Sequence, residues 1–86
     1  MNNSYDDRRI AREMVGTLTV STVQLGVEHA GGMWFETMVF DHAASGWEDL
    51  YCDRYATEPE AKAGHARVVA ALLDGKTPAQ IAGGVS

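Results

Sequence analysis

The stretch WFETMVF, residues 34–40, is the most apolar run in the chain, yet it carries an acid, Glu36, in its middle. It follows Gly31, Gly32 and Met33, and paired glycines can adopt the positive φ angles of a two-residue hairpin turn. The run therefore predicts the middle strand of an antiparallel sheet. Its expected neighbours are TLTVSTVQLGVEHA (17–30), rich in β-branched residues, and LYCDRYA (50–56), which follows a polar loop.

The segment TEPEAKAGHARVVAALLDG, residues 57–75, has the clearest helix signature. Thr57 and Glu60 form a capping box, Pro59 lies in the first turn, and Gly75 stands just past the end. Helical spacing predicts one apolar stripe, widened by Val69 and Leu73, and made of Ala61, Gly64, His65, Val68 and Leu72. After it, residues 76–86 predict a short turn, capped by Thr77, and a tail.

The first residues predict a second, shorter helix. Ser4 and Asp7 resemble a capping pair, and Ile10, Met14 and Val15 follow at helical spacing. The chain of 86 residues is too short for two cores, so the prediction is one α+β domain. It comprises an N-terminal helix (1–16), a three-stranded antiparallel meander (17–57), a main helix packed on one face (57–75), and a short turn and tail (76–86).

The turn also predicts a register for the sheet. If Gly31-Gly32 is the whole turn, Val23 lies opposite Phe40, Leu25 opposite Met38 and Val27 opposite Glu36. On the other side of the middle strand, Met38 lies opposite Cys52 and Glu36 opposite Arg54. Period-two alternation then predicts a core face beneath the main helix, made of Val23, Leu25, Val27, Trp34, Met38, Phe40, Leu50 and Cys52.

Glu36 falls on this predicted core face, across from Arg54. A half-buried carboxylate needs a partner, so the favoured interpretation is a structural ion pair between Glu36 and Arg54. The alternative is a general acid or base, which would require a second titratable group. Only His65, on the helix stripe, could supply that group.

The opposite alternation defines a predicted outer face, made of Phe35, Thr37, Val39, Tyr51, Asp53 and Tyr55. Three aromatic residues make this face too apolar to be left in water. One interpretation is that the N-terminal helix covers it. The functional interpretation is that these six residues bind a partner or ligand, which could be a second copy of the chain, a host protein or a planar small molecule.

Charge argues against nucleic acid as the partner. The formal net charge of −5 lies entirely in residues 17–57, where Arg54 is the single basic residue, because both ends of the chain are neutral. An acidic central segment repels phosphate, so we expect no nucleic-acid binding. No apolar run approaches the roughly 18 residues of a membrane span and no leader is recognisable, so a cytoplasmic protein without membrane contact is expected.

Other candidate chemistry is weak. The side chains of His29, His42, His65 and Cys52 share no metal-ligand spacing, so neither a metal nor another cofactor is expected. The predicted register places Cys52 inward, where a thiol is a poor nucleophile. These observations favour a protein that is not an enzyme.

Two longer stretches, VSTVQLGVEHAGGMWFETMVF (20–40) and DRYATEPEAKAGHARVV (53–69), resemble a group of small proteins encoded by actinobacteria and their tailed phages. The shared motifs are a Leu-Gly-x-(Asp/Glu)-His segment, a Phe-Glu-Thr-Met-Val-Phe strand and an Arg-Tyr-(Ala/Ser)-Thr helix start. Glu58-Pro59 departs from the Trp-Glu of that group. The resemblance implies a phage or prophage accessory gene expressed in a bacterial host, and no mechanism.

Two functions are therefore predicted. The first is a non-enzymatic binding module that engages a host protein or itself as a homo-oligomer. The alternative is an oligomeric protein that sequesters a small molecule such as a signalling nucleotide.

Overall fold

A computed structural model describes residues 8–29, 31–43 and 49–83, with the backbone alone at residues 27–29. The fold is α+β: a four-stranded antiparallel sheet in the order of the sequence, with a helix packed on it. The strands are β1 (Arg9–Val15), β2 (Leu18–His29), β3 (Met33–Asp41) and β4 (Asp49–Tyr55), and the helices are α1 (Glu58–Leu73) and α2 (Pro78–Ala82). Neither helix of the described chain is long and apolar enough to cross a membrane.

The predicted N-terminal helix is wrong in the described part of the chain, because Arg9–Val15 forms β1 and the sheet has four strands instead of three. Residues 1–7, with the presumed capping pair, lie outside the described residues. Gly16 has a φ of 61°, which permits a tight turn that pairs Val15 with Leu18. An irregularity in register between Arg9 and Ala11 brings Ile10 and Val15 to the same side of the sheet. Because of this shift, the apolar residues of β1 lack strict alternation, and their spacing in the sequence resembles that of a helix.

The hairpin of β2 and β3 forms at the predicted glycines, which have φ angles of 80° and 76°. The register of its body differs from the prediction, because Val23 lies opposite Glu36 and Ser21 opposite Met38. The pairing shifts between Gln24 and His29, where β2 accommodates extra residues. Even the first pair differs from the prediction, because His29 lies opposite Met33 where a two-residue turn would place residue 30. The glycines therefore located the turn without defining its length or the register.

The register of β3 and β4 agrees with the prediction. Phe35 lies opposite Tyr55, Glu36 opposite Arg54 and Met38 opposite Cys52. The pairing becomes irregular only after Val39, where Phe40 faces Asp49 instead of Leu50.

The main helix also forms as predicted. The Thr57 hydroxyl accepts a hydrogen bond from the Glu60 amide at 3.3 Å, and the Glu60 carboxylate accepts one from the Thr57 amide at 3.1 Å. Gly75, with a φ of 92°, lies just past the end of the helix. Its buried residues are the predicted stripe of Ala61, Gly64, His65, Val68 and Leu72. A second capping box, between Thr77 and Gln80, starts α2.

The helix covers the opposite face of the sheet from the predicted one. Val20 and Val39 pack against Val68 and Leu72, and a second cluster is made of Phe35, Tyr55 and Ala61. His65 gives the physical reason for this choice, because a histidine in a buried stripe needs hydrogen-bond partners. The covered face supplies them.

Candidate functional site

The structure gathers all six residues of the predicted outer face on one side of the sheet, but that side lies beneath α1. Phe35, Thr37, Val39 and Tyr55 are buried, with at most 8% of each residue exposed. Tyr51 and Asp53, on the edge strand β4, are partly exposed, and the Tyr51 hydroxyl donates to Asp53 Oδ2 at 3.3 Å. The assignment of this surface to the exterior is therefore wrong.

A chain of polar groups crosses the interface between α1 and the sheet. Glu13 Oε1 lies 2.8 Å from His65 Nε2, and His65 Nδ1 lies 2.7 Å from the Thr22 hydroxyl. The Thr22 hydroxyl in turn bonds to that of Thr37 at 2.5 Å. Sequence analysis missed Thr22 and Glu13, although the buried position of His65 on the helix stripe was a signal that polar partners must face it.

The order of carboxylate, imidazole and hydroxyl groups resembles that of a catalytic triad, in which a histidine activates a nucleophilic hydroxyl. However, Thr22 and Thr37 have no exposed surface, so a substrate cannot reach either hydroxyl in this conformation. The alternative acid–base pair of Glu36 and His65 does not form, because the two side chains lie on opposite faces of the sheet. The polar chain satisfies buried groups and thereby specifies which face the helix covers.

No helix of the described ranges packs on the other side of the sheet, which we call the open face, although Thr19, Ser21 and Val23 at its centre are at most 8% exposed. Strand registers place on it residues from all four strands: Arg9, Arg12, Met14, Thr19, Ser21, Val23, Trp34, Glu36, Met38, Phe40, Asp49, Leu50, Cys52 and Arg54. Several of these were predicted to form the core. The contributions of Arg9, Arg12 and Met14 were missed because β1 was expected to be helical.

An ionic cluster lies in the middle of the open face. Arg54 Nε is 3.0 Å from Glu36 Oε2, and the Cys52 thiol donates to the same oxygen at 3.2 Å. Glu36 is 8% exposed. The pairing is the one that the strand register predicted.

Cys52 is exposed, contrary to the inward position predicted for it. Partial burial of the sulfur and the hydrogen bond to the nearby Glu36 carboxylate raise the pKa of the Cys52 thiol to about 12. A thiol with so high a pKa is almost entirely protonated near neutral pH and is a poor nucleophile. Its place in this cluster therefore gives it no evident catalytic use.

Three large apolar side chains of the open face are exposed: Met14 by 59%, Leu50 by 44% and Trp34 by 40%. They lie at separate margins of the face, on β1, on β4 and at the start of β3. The remaining large exposed apolar residue of the described chain is Leu73, on the helix. Aromatic residues and methionine are enriched at protein interfaces.

Comparison with known proteins adds no relative to this description. No protein-family model matches the chain, and neither a curated protein nor a solved structure matches it.

Proposed function

We propose that this protein is a non-enzymatic binding module whose open face stacks against the open face of a second copy of the chain. The observation that carries the proposal is the exposure of Met14, Trp34 and Leu50 at the margins of a sheet face on which no helix of the described chain packs. Sheets bury their apolar faces against another layer, and no helix of the described chain forms that layer on this side. A phage or prophage accessory role remains the expectation drawn from the sequence motifs.

The charges on the open face support self-association. Arg9, Arg12 and Arg54 nearly balance Glu36 and Asp49 there, whereas the whole chain carries a net charge of −5. Two copies that meet through acidic surfaces would repel each other, and the near balance of charges on the open face lowers that penalty.

The size of the open face also supports a second copy as the occupant. Its shortest strands have seven residues, so four strands spaced by about 4.8 Å give a face of on the order of 500 Å². Two stacked faces would bury on the order of 1,000 Å² in total, which is about the lower limit for a stable interface. A domain of this size also gains stability by association, because it buries little surface alone.

A binding role is preferred to an enzymatic one because the groups that could perform chemistry are either buried or held in their protonated, unreactive form. The Thr22 hydroxyl is fully buried and the Cys52 thiol is held protonated. The open face offers contact area instead.

Sedimentation velocity over a concentration series tests this function. We expect the wild-type protein to sediment as a dimer, with twice the chain mass of 9.3 kDa. The variants Trp34→Glu and Met14→Glu should shift the equilibrium toward the monomer. These residues lie toward opposite ends of the open face, so both should weaken a dimer that uses the whole face. Leu73→Glu is the matched control, because Leu73 is 71% exposed on α1.

A wild-type protein that stays monomeric over the whole series would contradict self-association. If such a monomer retained a host protein and Trp34→Glu released it, the open face would be a site for a different partner. Circular dichroism of each variant must show the wild-type fold for these comparisons to apply.

A further inference from the structure

A pocket of about 230 Å³ lies on the other side of the molecule from the open face, where β4, α1 and α2 meet. The ring of Tyr51 forms one wall, and Val68, Ala71 and Ile81 supply apolar surface. Arg67 and Lys76 complete the lining together with Gln80. The pocket exists because the turn after α1 returns α2 to β4, which it contacts.

The pocket is basic in an acidic protein. The segment 58–86 has three basic residues, and two of them, Arg67 and Lys76, line it. Lys76 Nζ lies 3.3 Å from Asp74, so its charge is partly balanced. By contrast, no side chain within the described ranges forms a hydrogen bond or ion pair with the Arg67 guanidinium.

The charge of Arg67 affects the pKa of Tyr51, whose ring forms one wall of the pocket. Burial and the Asp53 carboxylate raise the pKa of Tyr51 to about 12, and the charge of Arg67 acts in the opposite direction. Its positive charge therefore lies near the phenol. Asp53, the acid that acts on the phenol, already accepts hydrogen bonds from the Tyr51 hydroxyl and the Arg54 amide.

We propose that this pocket binds a small organic anion, with its carboxylate on Arg67 and its short apolar or aromatic body between Tyr51 and the aliphatic floor. A guanidinium presents paired donors that match a carboxylate, and Lys76 adds a second positive charge. The pocket is smaller than the roughly 300–1,000 Å³ typical of sites for drug-sized ligands, which favours a compact carboxylate over a nucleotide.

Titration of the full-length protein with benzoate, followed by amide chemical shifts in NMR, tests the site. Benzoate should perturb amides of Val68, Ala71 and Ile81. Benzamide, which has the same shape without the charge, should bind at least about tenfold more weakly, as should benzoate to Arg67→Gln. Lys62→Gln is the matched control, because Lys62 is exposed on the same helix, pairs with Glu58 at 3.1 Å and does not line the pocket.

Inorganic phosphate separates the contribution of charge from that of the apolar body. Phosphate that binds as tightly as benzoate would overturn the apolar part of the proposal. Equal affinity of benzoate for the wild-type protein and Arg67→Gln, or shifts confined to residues outside the pocket, would overturn the site itself. Arg67 is exposed, so Arg67→Gln should keep the wild-type melting curve, and loss of binding would then report on the site.

Discussion

Tyr55 lies directly against the backbone of Gly64, so closely that a β-carbon on residue 64 would overlap the phenol ring and its hydroxyl. Both residues are buried, and this contact joins the end of β4 to a position near the middle of α1. Glycine costs about 1 kcal/mol relative to alanine inside a helix, so its presence here needs a compensating reason. The close approach of the aromatic ring supplies it.

Gly64→Ala should therefore destabilise the protein by about 1–3 kcal/mol, because the strain of overpacking exceeds the gain in helix propensity. Urea unfolding followed by circular dichroism measures this. In a Tyr55→Leu background, which lacks the ring, the same change should be neutral or stabilising. A Gly64→Ala protein more stable than the wild type would show that the ring yields without cost.

The hydroxyl of Tyr55 is buried and makes no hydrogen bond of standard geometry among the described residues. Burial raises the pKa of Tyr55, and the nearby Thr37 hydroxyl acts in the opposite direction. Tyr55→Phe should therefore leave stability unchanged or raise it by up to about 1 kcal/mol, because it removes an unsatisfied polar group. Tyr51→Phe is the matched comparison and should cost about 0.5–1 kcal/mol, since the Tyr51 hydroxyl donates to Asp53. Thermal melts of the two variants should differ in this direction. The reverse order would mean that the Tyr55 hydroxyl is satisfied in solution.

Thr22 connects His65 to Thr37 within the buried polar chain. Thr22→Val should destabilise the protein by about 1–3 kcal/mol, because valine keeps the shape and leaves His65 Nδ1 and the Thr37 hydroxyl without this partner. Urea unfolding measures the loss.

A double-mutant cycle with His65→Leu provides the control for Thr22→Val. Once the imidazole is gone, Thr22→Val should cost clearly less than it does in the wild-type protein. Additive losses would mean that Thr22 and His65 stabilise the protein independently of each other.

Local signals in the sequence predicted the elements whose determinants are local. The capping box at Thr57, the cap at Thr77 and the positive φ angles of the turn glycines depend on residues a few positions apart, and all three are present. The pairing of Glu36 with Arg54 also followed, because β3 and β4 run in regular register between Phe35 and Val39.

The faces of the sheet could not be assigned in the same way. Alternation sorts side chains into two sets, but which set a helix covers depends on packing between distant elements. The covered set contains Thr22 and Thr37, which look like surface residues, and its suitability rests on their bonds to His65, 43 positions from Thr22. The open face, which carries Trp34, Met38 and Phe40, was predicted to be the core and was the wrong choice.

Reactivity of Cys52 should depend on its two charged neighbours in opposite directions. Burial and the Glu36 carboxylate raise the pKa of the thiol to about 12, and Arg54 lowers it. Alkylation by iodoacetamide at mildly alkaline pH should be at least about 100-fold slower in the folded protein than in urea, because the thiolate is the nucleophile. Glu36→Gln should accelerate the folded-state reaction and Arg54→Gln should slow it. A reaction as fast in the folded as in the unfolded protein would contradict the raised pKa.

The free energy of unfolding should decrease at alkaline pH, because folding raises the pKa of Cys52 and of two tyrosines. In the folded protein the pKa of Cys52 rises from 9.0 to about 12 and that of Tyr51 from 10.0 to about 12, and burial also raises the pKa of Tyr55. The unfolded chain therefore releases these protons at lower pH than the folded one. The stabilisation is complete below the unfolded pKa values and is lost as the pH rises toward the folded ones.

Urea midpoints should fall as the pH rises from about 9 toward 12. Cys52→Ala should flatten the first part of that decline, and Tyr51→Phe the part that starts near pH 10. If both variants followed the wild-type slope, titration of these two groups would not be what links folding to alkaline pH.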